Sequence, residues 1–192
     1  MSARNHLDDS NEHSGLGSVF WEPRKPESLM ENVVALPLLK VRPGTEADRA
    51  ALIAMVGEVW RETYLGHLEY SLGSRQDAEH ISQLVGNPAE RGWVATHGNR
   101  LSGYCRVASN CVDQIWVPLR LRRRGVGSAL LRQATEAIRE RGFAFAQAGC
   151  EDFNPVARLF LEAHGWRMIG SESQRLTRGR SYEAQVFSRA LG

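Results

Sequence analysis

Long apolar runs are missing from this 192-residue chain, which removes membrane-spanning helices from consideration. The first residues mix His, Asp, Asn and Arg, so no secretory signal is expected. Cysteine is sparse. Cys105, Cys111 and Cys150 are odd in number and lack metal-ligand spacing, which argues against a disulfide framework and against a metal site. Reduced, buried thiols in a cytoplasmic protein are the expectation. Net charge is small as well: 24 basic minus 22 acidic side chains leaves +2, too little to argue for nucleic acid. No internal repeat is present. Two familiar phosphate loops are also absent. No Gly-x-x-x-x-Gly-Lys-Ser/Thr run occurs, and Leu130 stands where a dinucleotide fingerprint needs its third glycine.

What remains is enough chain for one domain and some extra segments, large enough to bury a core without disulfides or metal. Residues 1–35 are polar and read as a tail or docked extension; residues 36–192 read as the domain. The pair Phe20-Trp21 argues against a wholly free tail, and could cover the domain or a neighbouring subunit, as in a homodimer. Charge is uneven: residues 1–32 hold six acids against three bases, so the rest carries +5.

Hydrophobic period and turn residues predict the order of elements. A strand at 36–42 precedes a helix capped by Thr45, with Asp48 placed to return the capping bond. A second helix, 74–85, stops at Gly86-Asn87-Pro88. Three strands in antiparallel succession follow at 92–96, 101–107 and 112–117. Residues 125–141 form the strongest helix pattern, with Val126, Leu130, Ala134, Ala137 and Ile138 on one face and Gly142 as its stop. A strand at 143–149, a helix opened by Asn154-Pro155 and two strands at 166–171 and 182–190 complete the chain.

The segment from Leu119 to Leu131 carries the most chemistry. Gly125 and Gly127 sit where strand gives way to helix, and Arg122, Arg123 and Arg124 stand just before. A helix N-terminus leaves unpaired N–H groups and partial positive charge. Glycines let an anion approach that backbone closely. The pattern is a cradle for a phosphate or pyrophosphate.

The spacing Arg122-x-x-Gly125-x-Gly127 resembles the acyl-CoA loop of the GNAT superfamily of N-acyltransferases, Gln/Arg-x-x-Gly-x-Gly/Ala. A second family pattern, Asn-x-x-Ala-x-x-Phe-Tyr followed by Gly-Phe, is matched by Asn154-Pro-Val-Ala157-Arg-Leu-Phe160-Leu161 and Gly165-Trp166. The order of elements over roughly residues 38–191 agrees with that family. The resemblance implies an α/β (α+β) GNAT fold, with a mixed, mostly antiparallel central sheet of about six to seven strands flanked by about four helices. It implies acetyl-CoA as acyl donor and an amine as acceptor; the cysteine spacing, the small net charge and the lack of apolar runs leave no expectation of metal, nucleic acid or membrane. Backbone around Val117 and Leu119 would pair with the pantetheine arm. The N–H groups of Arg123, Arg124, Gly125, Val126, Gly127 and Ser128 would hold the pyrophosphate, with Arg122 adding charge. Asn154 would contact CoA, with Ala157 and Phe160 packed beside it. Val117 and Phe160 also make sense as core, and Asn154 as a simple helix cap.

One departure from the family matters. Its usual general acid is the tyrosine after Phe160, and here that residue is Leu161. A lysine-like amine titrates near about 10.4, so attack on a thioester requires a proton acceptor. Asp113 is the first candidate base, and Tyr104 and Tyr64 are alternative proton carriers. Cys150 and Glu151, just past a strand end, could face the cleft. His67, Glu69, Arg175, Arg178 and Arg180 fall in loops where relatives bind acceptors. The expected activity is transfer of acetyl from acetyl-CoA to a small-molecule or protein amine. The alternatives are an acyl-CoA sensor with little turnover, suggested by Leu161, and an interaction protein that docks through Phe20-Trp21.

Overall fold

A computed structural model of the chain describes residues 38–64, 75–175 and 181–192. The expectations for the 1–35 segment, His67, Glu69, Arg178 and Arg180 lie outside the described residues. Seven strands form one sheet: β1 (Leu39–Pro43), β2 (Gly92–His97), β3 (Arg100–Ala108), β4 (Cys111–Trp116), β5 (Phe145–Glu151), β6 (Arg167–Arg175) and β7 (Ser181–Ala190). Their spatial order is β1-β2-β3-β4-β5-β7-β6. Every neighbouring pair is antiparallel except β4 and β5, which run parallel. Among the described residues four helices exceed eight residues: α1 (Arg49–Tyr64), α2 (Arg75–Val85), α4 (Val126–Glu140) and α5 (Pro155–Ala163). A short α3 (Pro88–Arg91) lies between α2 and β2.

The two faces of the sheet are buried under different helices, and strand alternation decides which residue goes where. Val126, Leu130, Leu131, Ala134 and Ile138 of α4 pack on Ala95, Cys105, Val107, Val112, Ala146 and Ala148. On the opposite face, Leu52, Val56, Val59 and Trp60 of α1 and Ile81 and Val85 of α2 pack on Val94, Tyr104 and Trp116. Tyr104 and Cys105 thus look in opposite directions from β3. Each large aliphatic side chain fully removed from water contributes about 1.5–3 kcal/mol.

Punctuation follows the residues. Asp48 accepts from the Thr45 N–H at 2.9 Å and from the Thr45 hydroxyl at 2.8 Å, which completes the predicted return bond. Arg42 also binds both Asp48 oxygens at 2.8 Å and holds that carboxyl well below the usual carboxylate range. Gly142, at φ 85°, ends α4. Two differences from the sequence reading stand out. Pro88 does not merely stop α2; it opens α3, with the Asn87 side chain accepting from the Ala89 N–H at 3.0 Å. The strand expected at 143–149 sits two residues later, because the turn after α4 uses Phe143, whose N–H reaches back to the Ile138 carbonyl. That shift places Glu151 on the strand.

Candidate active site

The parallel ladder between β4 and β5 is only two pairs long, Cys111 with Gln147 and Val112 with Ala148. Beyond it β4 stays with β3 as far as Trp116, and β5 stays with β7 as far as Glu151. The two strands therefore part toward their C-terminal ends and leave a wedge with unpaired edges. A bulge begins the parting. Arg106 faces Gln114 and Val107 faces Val112, so Asp113 is an extra residue without a partner in β3. In open α/β sheets ligands sit outside the carboxyl ends of strands where the sheet divides. Here β4 leads from the wedge to the start of α4, and β5 leads to the start of α5.

On the α4 side the wedge is bordered by the predicted anion cradle. β4 ends one residue short of the strand end expected from sequence, so Val117 follows it, and the Val117 carbonyl accepts from Arg122 Nε at 3.1 Å. Leu119, 60% exposed, starts a single 3-10 turn. Arg123 and Gly125 both take positive φ, 60° and 80°, which lets the chain reverse into α4. Gly125 is the N-cap and offers no side chain, so the first N–H groups of α4 have no side-chain cap. Arg123 and Arg124 are exposed and make no ion pair among the described residues. Val126 is core, at 1% exposure. A Cβ at Gly127 would come within 3.2 Å of the Phe160 ring, a tight approach to which the ring would have to yield by a few tenths of an ångström. Ser128 Oγ lies 2.9 Å from His164 Nε2, while His164 Nδ1 lies 2.7 Å from the Phe160 carbonyl. That carbonyl only accepts, so Nδ1 carries the proton and Ser128 donates to Nε2 in the neutral ring. A cavity of about 530 Å³ continues from Ser128 and His164 past Arg132 and Arg139 to Arg189.

On the α1 side a different set of groups gathers. Ala146, Ala148 and Cys150 point into the α4-side core, so Gln147, Gly149 and Glu151 point the other way. The Tyr64 hydroxyl, at the end of α1, donates to Glu151 Oε1. Asn154 Nδ2 donates to Glu151 Oε2 at 3.2 Å, and its Oδ1 caps α5 through the Ala157 N–H at 3.1 Å. Phe153 meets the Tyr64 ring edge-on at 5.8 Å and the Tyr182 ring at 6.0 Å. Trp60 stacks behind Tyr64 at 5.4 Å.

Of the residues expected to carry chemistry, Val117 through Ser128 and Phe160 come together at the wedge, with Ala157 packed against the same core. Asn154 starts the neighbouring helix. Asp113 and Tyr104 sit apart from that group. Asp113 Oδ2 accepts from Arg106 Nε at 2.8 Å and from Arg106 Nη2 as well. Tyr104 is fully buried, its hydroxyl donates to the Val85 carbonyl at 2.8 Å, and burial pushes its phenol up to about 12. Leu161, at the position of the family's tyrosine, is 4% exposed and part of the core. Burial first, and then the neighbouring Glu151, pushes the Cys150 thiol up to about 11, which keeps it protonated near neutrality. Among the described residues no cluster of three His, Cys, Asp or Glu is placed to hold a metal, and no helix is long and apolar enough to cross a membrane.

The model of the acetyltransferase (GNAT) family matches residues 53–166. No curated protein matches the sequence. Solved structures match over the domain. The GCN5-related N-acetyltransferase from Rhodopseudomonas palustris superposes with a TM-score of 0.63 at 15% identity, over 81% of this chain and 97% of that one. YncA from Salmonella typhimurium, determined with its cofactor acetyl-CoA, gives 0.58 at 18% identity over 81% and 95%. The ribosomal-protein-S18-alanine N-acetyltransferase of Escherichia coli gives 0.57 at 17% identity over 80% and 94%. These identities speak for a shared fold.

Proposed function

The chain belongs to the acetyltransferase (GNAT) family, and from that premise we propose that it moves an acetyl group from acetyl-CoA to an amine by direct attack on the thioester. The observation that carries this reading is the wedge between β4 and β5, with a helix start that has no side-chain cap and with Arg123 and Arg124 making no ion pair among the described residues. Unpaired strand edges accept an extended arm as an added strand, which suits pantetheine beside Val117 and Leu119. The pyrophosphate would meet the N–H groups from Arg123 to Ser128, with Arg122 bracing Val117 beneath it. Asn154, Ala157 and Phe160 would pack along the arm from the α5 side.

The amine enters as an ammonium and gives one proton to an acceptor group or to water. Its nitrogen then forms the C–N bond to the acetyl carbon, and backbone N–H groups near Val117 stabilise the oxyanion. The C–S bond breaks, CoA leaves as thiolate, and the second nitrogen proton ends on that sulfur. With a thiol near about 8.5, the leaving group needs proton delivery through water more than a dedicated acid, which fits Leu161. Asp113, held by Arg106, is the less available of the nearby carboxylates, and Glu151 is the more available. A protonated Cys150 fits direct transfer without an acetyl-enzyme. The absence of a tyrosine at Leu161 also favours a second reading, an acyl-CoA sensor with little turnover.

CoA thiol release from acetyl-CoA with a panel of amines tests the proposal. Amine-dependent release supports it. Tight acetyl-CoA binding with no release for any amine would select the sensor.

A further inference from the structure

Glu151 is half-buried at the wedge and has no cationic partner among the described residues. Asp113 and Asp48, by contrast, are each neutralised by an arginine. The Glu151 carboxylate is also oriented at both oxygens, by Tyr64 and by Asn154. Capping does not explain it, because Asn154 Oδ1 caps α5 unaided. A carboxylate has about four lone-pair positions, and two hydrogen bonds leave room for an approaching cation. Directly before it on the same face, Gly149 leaves space: among the described residues a Cβ there would meet only the Gln185 carbonyl, at 4.0 Å. Around it stand the half-buried rings of Tyr64, Phe153 and Tyr182.

From this arrangement we infer that Glu151, Tyr64, Phe153 and Tyr182 form the acceptor subsite, and that the acceptor is an organic ammonium borne on an apolar or aromatic stem. This rests on the reading of the wedge as an acetyl-transfer site. Glu151 takes the ammonium as a charge-assisted hydrogen bond partner. The ring faces attract the same cation when it comes within about 6 Å of a centroid, and they cover the stem. A carboxylate in this place disfavours an acceptor with an anionic group beside its amine. Tyr64, which binds Glu151 through its hydroxyl, is a positioning residue that aims the carboxylate.

Calorimetric titration of the full chain with phenethylamine hydrochloride, n-butylamine hydrochloride and sodium 3-phenylpropionate tests the subsite, alongside acetyl-CoA titrations of the same samples. Phenethylamine should bind about tenfold more tightly than n-butylamine. The anionic 3-phenylpropionate should give no signal. Glu151→Gln should weaken phenethylamine about tenfold or more and leave acetyl-CoA affinity within about twofold. Tyr64→Phe, which keeps the ring, should give a smaller loss in the same direction. Equal binding of the two amines, binding of 3-phenylpropionate, or unchanged phenethylamine affinity in Glu151→Gln would overturn the subsite. Absence of phenethylamine binding beside intact acetyl-CoA binding would overturn it too, with the donor site standing. Failure of acetyl-CoA to bind while the amine still binds would instead contradict the acetyl-transfer reading.

Discussion

The two sides of the wedge offer opposite chemistry. On the α4 side the groups are backbone N–H and exposed guanidiniums, with Arg123 and Arg124 free of ion pairs among the described residues. On the α1 side stands the Glu151 carboxylate, which has no cationic partner among the described residues and is set among rings. An anionic donor and a cationic acceptor would therefore be drawn to different faces of one sheet and meet at its strand edges. In the proposed reading the parting of β4 from β5 does two jobs. It would free edge groups for an extended arm, and it would join two compartments of opposite charge.

The largest effect should come from blocking the α4 side. Gly127→Glu should weaken acetyl-CoA binding by more than about a hundredfold, because it adds both bulk and charge where an anion approaches. Its Cβ also presses on Phe160, so Gly125→Ala makes a useful companion. Among the described residues nothing lies within 4 Å of a Cβ at position 125, but its φ is 80°. Alanine there should cost stability of about 1–2 kcal/mol, read by thermal melting, and keep affinity within about tenfold. If both variants bind like the parent, the cradle is not the site.

Removing charge should matter less than removing access. Arg123→Gln with Arg124→Gln should weaken acetyl-CoA about tenfold at low salt and flatten the salt dependence of affinity, since exposed charges are screened over about 10 Å at 0.1 M salt. Arg122 is left in place because it also braces the Val117 carbonyl. Indifference to both mutation and salt would mean that these arginines only face solvent.

The same contrast explains what could be read in advance. The α4 side is contiguous: glycines, arginines and helix start lie between Leu119 and Leu131, so spacing alone exposes it. The order of strands and helices was legible for the same reason, since hydrophobic period and Gly or Pro punctuation are local. The α1 side is assembled from positions 64, 151, 153 and 182, which become neighbours only once the sheet is ordered. Glu151 was noticed near a strand end, but its pairing with Tyr64 has no local signal. Asp113 shows a second limit. A regular strand would give it the parity of Ile115 and Val117, whereas the bulge turns it toward Arg106. Pro88 shows a third, because Asn87-Pro88 follows a helix pattern and reads locally as its stop, while Asn154-Pro155 precedes one and reads as a start, though both cap helices.

Three smaller effects sharpen the comparison. Leu161→Tyr should lower stability by about 1–3 kcal/mol and bring no gain in rate, because the added ring must enter a filled core. A faster enzyme with an unchanged melting temperature would show that the position opens on the wedge. Asp113→Asn should cost about 1 kcal/mol or less in stability, since its pair with Arg106 is partly exposed, and should change kcat less than about threefold. A loss of about a hundredfold would make Asp113 the base after all. Smallest of all, iodoacetamide at pH 8 should leave Cys150 of the folded protein unmodified and the rate unchanged, because burial keeps that thiol protonated up to about 11.

The most direct test of the two-sided wedge pairs one variant from each side. Dissociation constants for acetyl-CoA and for phenethylamine are measured by calorimetry on the parent chain, on Gly127→Glu and on Glu151→Gln. Gly127→Glu should lose acetyl-CoA and keep the amine, and Glu151→Gln should do the reverse. A result in which Glu151→Gln loses acetyl-CoA as severely as Gly127→Glu does, while the amine binds both variants as it binds the parent, would contradict the division of the wedge into donor and acceptor sides.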